Sequence, residues 1–237
     1  MSFLRDLQPE LMDDPALSSA EHEHALVGLS RLNFFSGVIG GMYRQIARFA
    51  TKDRPLKVLD IASGSGDLPV AWAKRASKQG LDLEMTATDI SSVAVDQQQQ
   101  RAQAAGVKLR SLQADCFAKE LPTGFDIVTC SLFMHHLTEA QSIDLLRKMR
   151  KASHNAVIVC DLDRTRLNYA LVGFASRALT RSHVVHTDAL LSVKNAYTKT
   201  EFAELARTAF GRSVDVKTMF PSRFLMIDRL GDTESAT

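Results

Sequence analysis

The stretch LDIASGSGDL, Leu59 to Leu68, sets Gly64 and Gly66 one residue apart between an apolar run and the start of a helical pattern. That spacing lets a backbone turn pass close to a ligand at a helix N-terminus. A dinucleotide fingerprint would need a third small residue three positions after Gly66, where Pro69 stands. It would also need a first turn that receives a pyrophosphate, and Asp67 would repel one there. A cationic ligand with an amino-acid tail and an adenosine is the better match. Gly64 and Gly66 supply its turn, Asp89 at the end of the second apolar run its ribose contact, and Asp115 with Cys116 after the third its adenine contact.

His135 and His136 directly follow the run FDIVTCSLF. Histidine is neutral enough near pH 7 to remove a proton, so the pair is a candidate general base; the alternative is a turn that only shapes the pocket. In HVVH, His183 and His186 stand three apart, but no glutamate completes a helical HExxH frame, so they read as pocket or surface histidines. Asp161 and Asp163, at the end of another apolar run, read as turn residues in preference to a metal site. No metal is expected.

Composition bounds these readings. The 237 residues are 45% hydrophobic and 24% charged, enough for one α/β domain with an added subdomain. A formal charge of +2 gives no field suited to a polyphosphate chain, and nucleic acid is disfavoured. Cys116, Cys130 and Cys160 lack CxxC spacing, which argues against a disulfide framework or structural zinc. Arg5, Asp6, Glu10, Asp13 and Asp14 interrupt the N-terminus where a signal peptide would be apolar, and no apolar stretch reaches 18 residues. A cytoplasmic protein is expected.

From Lys57 the chain alternates short apolar runs with helical periods. KVLDIA, LEMTATDI, VKLRSLQAD, FDIVTCSLF and NAVIVCDL read as five strands, with helices between them. Thr138 with Gln141 and Thr198 with Glu201 are capping boxes. Crossovers of this length imply a mostly parallel, doubly wound sheet with its ligand beyond the strands' carboxyl ends. SVDVKTMF and RFLMIDRL close it as an antiparallel hairpin around Pro221. Residues 1–50 read as an N-terminal helical cap, with Leu26, Leu29 and Leu32 on one face and SGVIGG as a break. Residues 51–231 form the main domain, with a helical insertion at 164–197 and a disordered tail at 232–237. The run Gln97 to Gln100 fits a solvated helix face.

VLDIASGSGDL, ATDIS, LQADCF and FDIVTCSLFMHHL, in this order, resemble the four motifs of class I S-adenosylmethionine (SAM)-dependent methyltransferases. Ala62 departs from the first motif's usual glycine. The resemblance implies a seven-stranded Rossmann-like sheet and SAM as cofactor. It implies that Asp60 and the backbone of Ala62, Ser63 and Gly64 meet the amino-acid part, with Gly66 completing the turn. Asp89 would take the ribose, Ile90 an adenine face, Asp115 with the Cys116 amide the adenine amine, and the Ser131 carbonyl the ammonium group. Asn-Pro-Pro-Tyr, a signature of amino-group methylation in nucleic acids, is absent after the fourth strand.

The insertion LNYALVGFASRAL is apolar on nearly every side, so it must be buried, cover a greasy ligand or meet another surface. A peripheral membrane contact and a homodimer both remain open beside a monomer. The chain is similar to the small-molecule branch of the family, including ubiquinone and menaquinone biosynthesis methyltransferases and those encoded beside type III polyketide synthases. Arg31, Asn33 and Ser36 carry part of that likeness. It implies secondary metabolism and a lipophilic phenol, quinone precursor or polyketide, methylated on oxygen or carbon. Tyr43, Arg44, Tyr169, Arg181, His186 and Tyr197 are its candidate lining. The alternatives are a SAM-binding protein without transfer, a nucleic-acid methyltransferase and an NAD-dependent oxidoreductase.

Overall fold

The computed structural model describes residues 2–13, 17–18, 21, 25, 28, 37–118 and 120–231. Seven strands form one sheet: β1 Leu56–Ile61, β2 Leu83–Asp89, β3 Arg110–Gln113, β4 Phe125–Ser131, β5 Ser153–Leu162, β6 Asp215–Met219 and β7 Arg223–Arg229. Their order is β3-β2-β1-β4-β5-β7-β6. The first five are parallel, and β7 runs antiparallel to both β5 and β6. The doubly wound sheet and its closing hairpin are therefore as the sequence predicts.

Helices bounded within the described residues are α1 Val38–Ile46, α2 Asp67–Lys78, α3 Ser92–Ala105, α4 Glu139–Ala152, α5 Arg166–Leu179, α6 His183–Asn195 and α7 Lys199–Phe210. Both capping boxes form, at Thr138 and Thr198, because each threonine hydroxyl accepts the third helical amide while Gln141 or Glu201 reaches back. Side chains alternate along the central strands. Val157 and Val159 join a core with Leu145, Met149, Phe202 and Phe224, whereas Ile158 and Cys160 join Met42, Ile46 and Trp72 on the opposite face. Truncating Phe202, which is fully buried, to alanine would cost about 3–5 kcal/mol.

Residues 2–10 depart from the helical expectation for the N-terminal region, whereas Glu21, Ala25, Gly28 and Val38–Ile46 are helical. Residues 2–10 carry no regular secondary structure and are followed by a 3-10 turn at Leu11–Asp13. They form a strap whose polar groups are satisfied by distant elements. Arg5 donates to the carbonyls of Asn195 (2.5 Å) and Leu137 (2.7 Å), and the Leu11 and Met12 amides reach the Asp188 carboxylate. The predicted break at SGVIGG is also corrected, since Gly40 and Gly41 lie inside α1. A Cβ on Gly41 would stand 2.4 Å from the Met219 sulfur, so that glycine permits close packing of α1 on β6. Leu26, Leu29, Leu32, Arg31, Asn33 and Ser36, and the tail 232–237, lie outside the described residues.

The insertion after β5 is a helical pair, α5 against α6, joined at Thr180–Ser182. Gly173 lets α5 approach Leu190. Helix α5 buries Asn168, Gly173 and Ser176, while Leu167 and Phe174 are exposed. No helix among the described residues is long and apolar enough to cross a membrane.

Candidate active site

A cavity of about 360 Å³ opens at the carboxyl ends of β1, β4 and β5. Asp60, Ala62, Ser63 and Gly64 line one end; Glu10, His135 and His136 line the middle; Leu162, Leu171, Val172, Leu179 and Arg223 line the other. Topology explains the place. Parallel strands end together, and the loops leaving β1 and β4 diverge there because their crossovers lie on opposite faces of the sheet.

The loop after β1 is held by backbone geometry and by α3. Gly64 takes φ +53, and nothing stands within 4 Å of where its Cβ would be, which leaves the turn open toward a ligand. The Asp89 carboxylate accepts from the Gly64 amide (2.8 Å) and the Ser91 amide (3.0 Å). Its remaining lone pairs suit a diol. Gly66 serves packing, because a Cβ there would come within 2.9 Å of Gln98. Gln98 is fully buried and donates to the Gly64 carbonyl (2.8 Å), which corrects the reading of a solvated face at that position, while Gln99 and Gln100 are exposed as expected. Arg101 adds a bond to the Ser65 carbonyl (3.1 Å) and an ion pair to Asp67 (2.6 Å).

Asp60 is buried, and its two oxygens accept from Thr129 (2.6 Å) and Ser63 (2.8 Å). Burial pushes its pKa up to about 6 against those bonds. Ala62 takes φ +51, the left-handed conformation that a glycine would adopt freely. Leu132 and Ser222, with φ +55 and +63, are the other non-glycine residues with positive φ among the described residues, and all three line the cavity. Asp89, Ile90, Asp115 and Cys116 sit beyond the cavity at the ends of β2 and β3. Ile90 is 65% exposed, an apolar surface open to a flat ring. Asp115 accepts from the Phe117 amide (2.8 Å), and burial raises the Cys116 thiol to about 11. The Ser131 residue ends β4 at the cavity wall.

The two histidines form a 3-10 turn, Met134–His136, after β4. The His135 ring is buried, with Nδ1 2.7 Å from Asp161 Oδ1, and its amide donates to Asp161 Oδ2 (3.0 Å). Its Nε2 lies 3.7 Å from Glu10 Oε1. Burial alone would lower the His135 pKa, but the Asp161 charge and hydrogen bond raise it above its ordinary value. Burial would likewise raise Asp161, which His135 holds below the usual carboxylate range. His136, with its ring 4.3 Å from that of His135, is driven to about 3 by burial and by its neighbour's charge. Of the two, His135 is the stronger base. Glu10, His135 and His136 bring donor atoms within 4.8 Å of one another, a spacing that suits one metal ion or a proton relay.

The six residues expected to line the acceptor pocket are not among the cavity-lining ones. Tyr43 and Arg44 line a separate groove beside α1 and α2, where the Tyr43 hydroxyl donates to Gln79 (2.8 Å). Tyr197 is a buried pillar whose hydroxyl donates to the Leu137 carbonyl (2.8 Å), with the Arg5 guanidinium 3.7 Å over its ring. Tyr169 meets Phe3 edge-on, Arg181 is exposed, and the His186 ring engages the Thr180 carbonyl (2.9 Å). Polar and amphipathic types were the wrong guide to that wall, which α5 supplies mainly through Leu171, Val172, Ala175 and Leu179. Asp161, which reads in sequence as a turn residue, and Glu10 instead belong to the site. A strand-end aspartate following an apolar run was the available signal for the first, and nothing local marked the second.

Residues 58–156 match the methyltransferase domain family. The ubiquinone biosynthesis O-methyltransferase of Pseudomonas fluorescens (strain SBW25) is 34% identical over 88 residues, 37% of this chain and 36% of that protein. The chain thus aligns with about a third of the length of the curated relatives it matches. Among solved structures, an O-methyltransferase described as putative from Nostoc punctiforme PCC 73102 superposes with TM-score 0.63 at 18% identity, over 92% of this chain and 64% of that one. Magnesium protoporphyrin IX methyltransferase from Synechocystis PCC 6803 with bound SAM gives 0.56 at 12% identity, over 92% and 88%. Over residues 58–156 the chain is thus similar to methyltransferase domains, and its fold is the one seen in solved methyltransferase structures.

Proposed function

We propose that this protein transfers the methyl group of SAM to a small lipophilic aromatic acceptor, a phenol, quinone precursor or polyketide, on oxygen or carbon. One observation carries the reading: the Asp161–His135 dyad faces a cavity walled on one side by the β1 loop and on the other by apolar side chains of α5. The reading includes a cytoplasmic setting in secondary metabolism, as the family resemblance implies.

The residues present suit the cofactor. Gly64 leaves an open turn, the Asp89 carboxylate keeps lone pairs for a diol, Ile90 offers a bare apolar face, and the Asp60 carboxylate lines the cavity where it would favour a cationic ligand. When bound, SAM supplies a methyl group already activated by a good leaving group. What remains for the protein is alignment and, for a hydroxyl acceptor, removal of one proton. His135 Nε2 accepts that proton. Asp161 fixes the ring's tautomer and orientation and stabilises the imidazolium that forms, and Glu10 adds a second carboxylate on the cavity side. Leu162, Leu171, Val172 and Leu179 exclude water and hold an apolar ring.

Calorimetry with SAM and S-adenosylhomocysteine on wild type and Asp89→Ala, followed by a panel of lipophilic phenols, tests this reading. Micromolar binding that weakens at least tenfold in the variant is expected, since a carboxylate's hydrogen bonds contribute about 1.5–3 kcal/mol. Lack of SAM binding would overturn the proposal, as would turnover of basic peptides or RNA with none of phenols.

A further inference from the structure

The acceptor end of the cavity holds two buried polar atoms that nothing among the described residues satisfies. Arg223, at the start of β7, is 7% exposed, and its Nε has no hydrogen-bond partner among the described residues. Asn168, on the first turn of α5, is fully buried. Its Nδ2 donates to the carbonyls of Asp163 (2.8 Å) and Ser222 (2.9 Å), but its Oδ1 has no partner. Both residues line the cavity.

Such atoms are costly to leave unmade, and a buried guanidinium most of all. The nearby acid attracts Arg223 but its oxygens are engaged elsewhere: Asp161 Oδ1 accepts from His135 and the Leu162 amide, and Oδ2 from the His135 amide. Burial lowers the Arg223 pKa and Asp161 attracts it from a distance, yet a guanidinium stays charged in proteins, so among the described residues the site carries a buried cation with no carboxylate bonded to it. The sheet fixes which end of the ligand that anion belongs to. Arg223 pairs with Leu162 of β5, and the order β1-β4-β5-β7 sets it three strand spacings, about 14 Å, from the glycine loop.

We infer that the methyl acceptor carries a carboxylate that docks on Arg223, with a hydrogen-bond donor of the same molecule on Asn168 Oδ1: an aromatic hydroxy acid and not a neutral phenol. This rests on the methyl-transfer reading and narrows its substrate class. The ring lies between the apolar side chains of α5 and Leu162, its hydroxyl toward His135. A guanidinium takes a carboxylate through charge-assisted bonds, which a neutral amide of the same shape cannot reproduce.

Benzoate and benzamide, titrated calorimetrically with and without saturating S-adenosylhomocysteine, test this inference. Wild type should bind benzoate at least tenfold more tightly than benzamide. Arg223→Gln should reduce benzoate to the benzamide level, Arg223→Lys should recover part of the loss, and both should keep S-adenosylhomocysteine affinity within twofold. Equal affinities in wild type, or no binding of either probe, overturn the inference, and this comparison needs no variant. Loss of S-adenosylhomocysteine affinity in Arg223→Gln also overturns it, by assigning the arginine to the cofactor's own carboxylate. A protein that binds benzoate but not S-adenosylhomocysteine retains the anion site and refutes the methyl-transfer reading instead.

Discussion

The two ends of the cavity are built in opposite ways. At the β1 end, Asp60, Ala62, Ser63 and Gly64 fall within five residues, and apart from Thr129 of the adjacent strand the groups that steady them come from the next crossover: Asp89, Gln98 and Arg101. At the acceptor end, Glu10 comes from the strap, His135 from the turn after β4, Asp161 from β5, Leu171 from α5 and Arg223 from β7. A local loop keeps its geometry through backbone conformation and a few short-range bonds. An assembled wall keeps it only while distant elements stay packed, and here Arg5 and Tyr197 fasten the strap to the His135 turn. Substitutions at the β1 end should therefore change cofactor affinity, and those at the other end turnover.

The sharpest test of that division is His135→Ala. Loss of a positioned base should lower kcat by about 100- to 10,000-fold, with SAM affinity by calorimetry within twofold of wild type. A comparable loss of affinity would erase the distinction between the ends.

Asp161→Asn comes next. Because the His135 pKa lies above 6.5, kcat/KM should rise as pH passes through that raised value, where His135 loses its proton. Removing the neighbouring carboxylate should move the inflection down by about 1–3 pH units. Stability carries the same signature with definite signs. The raised His135 contributes below its unfolded pKa and loses that contribution as pH rises through the folded one. The lowered Asp161 contributes above its unfolded value and loses that as pH falls through the folded one. Urea titrations across pH should lose both windows in the variant. Unchanged profiles would show that the pair is not coupled.

A smaller effect is expected behind the glycine loop. Gln98→Ala removes one buried hydrogen bond, about 0.5–1.5 kcal/mol, and should weaken SAM binding roughly threefold to tenfold with kcat at saturation unchanged. A drop in kcat instead would mean that the β1 loop also positions the acceptor.

The legibility of the molecule follows the same division. Gly64, Pro69, Asp89 and the capping threonines lie in short stretches whose backbone demands are met by neighbours in sequence, so the strand-helix alternation, the sheet and the cofactor motifs could be read directly. Reading failed where partners are remote. Gln98 resembles a solvated glutamine until Gly66 brings α3 against the loop, and Tyr197 resembles a pocket residue until Leu137, Ser142 and Arg5 take up its hydroxyl and ring. Residues 2–10 carry no periodicity of their own, because their bonds go to α6 and to the turn after β4.

By itself, the sequence determined the doubly wound sheet, its closing hairpin and the glycine turn with its acidic partners, since periodicity, caps and close-approach glycines are local requirements. Only the tertiary structure decided that His135 is held by Asp161 and faced by Glu10, that α5 walls the cavity, and that Arg223 is buried there with its Nε unbonded among the described residues. Those relations depend on which strands lie side by side, and no local spacing encodes them.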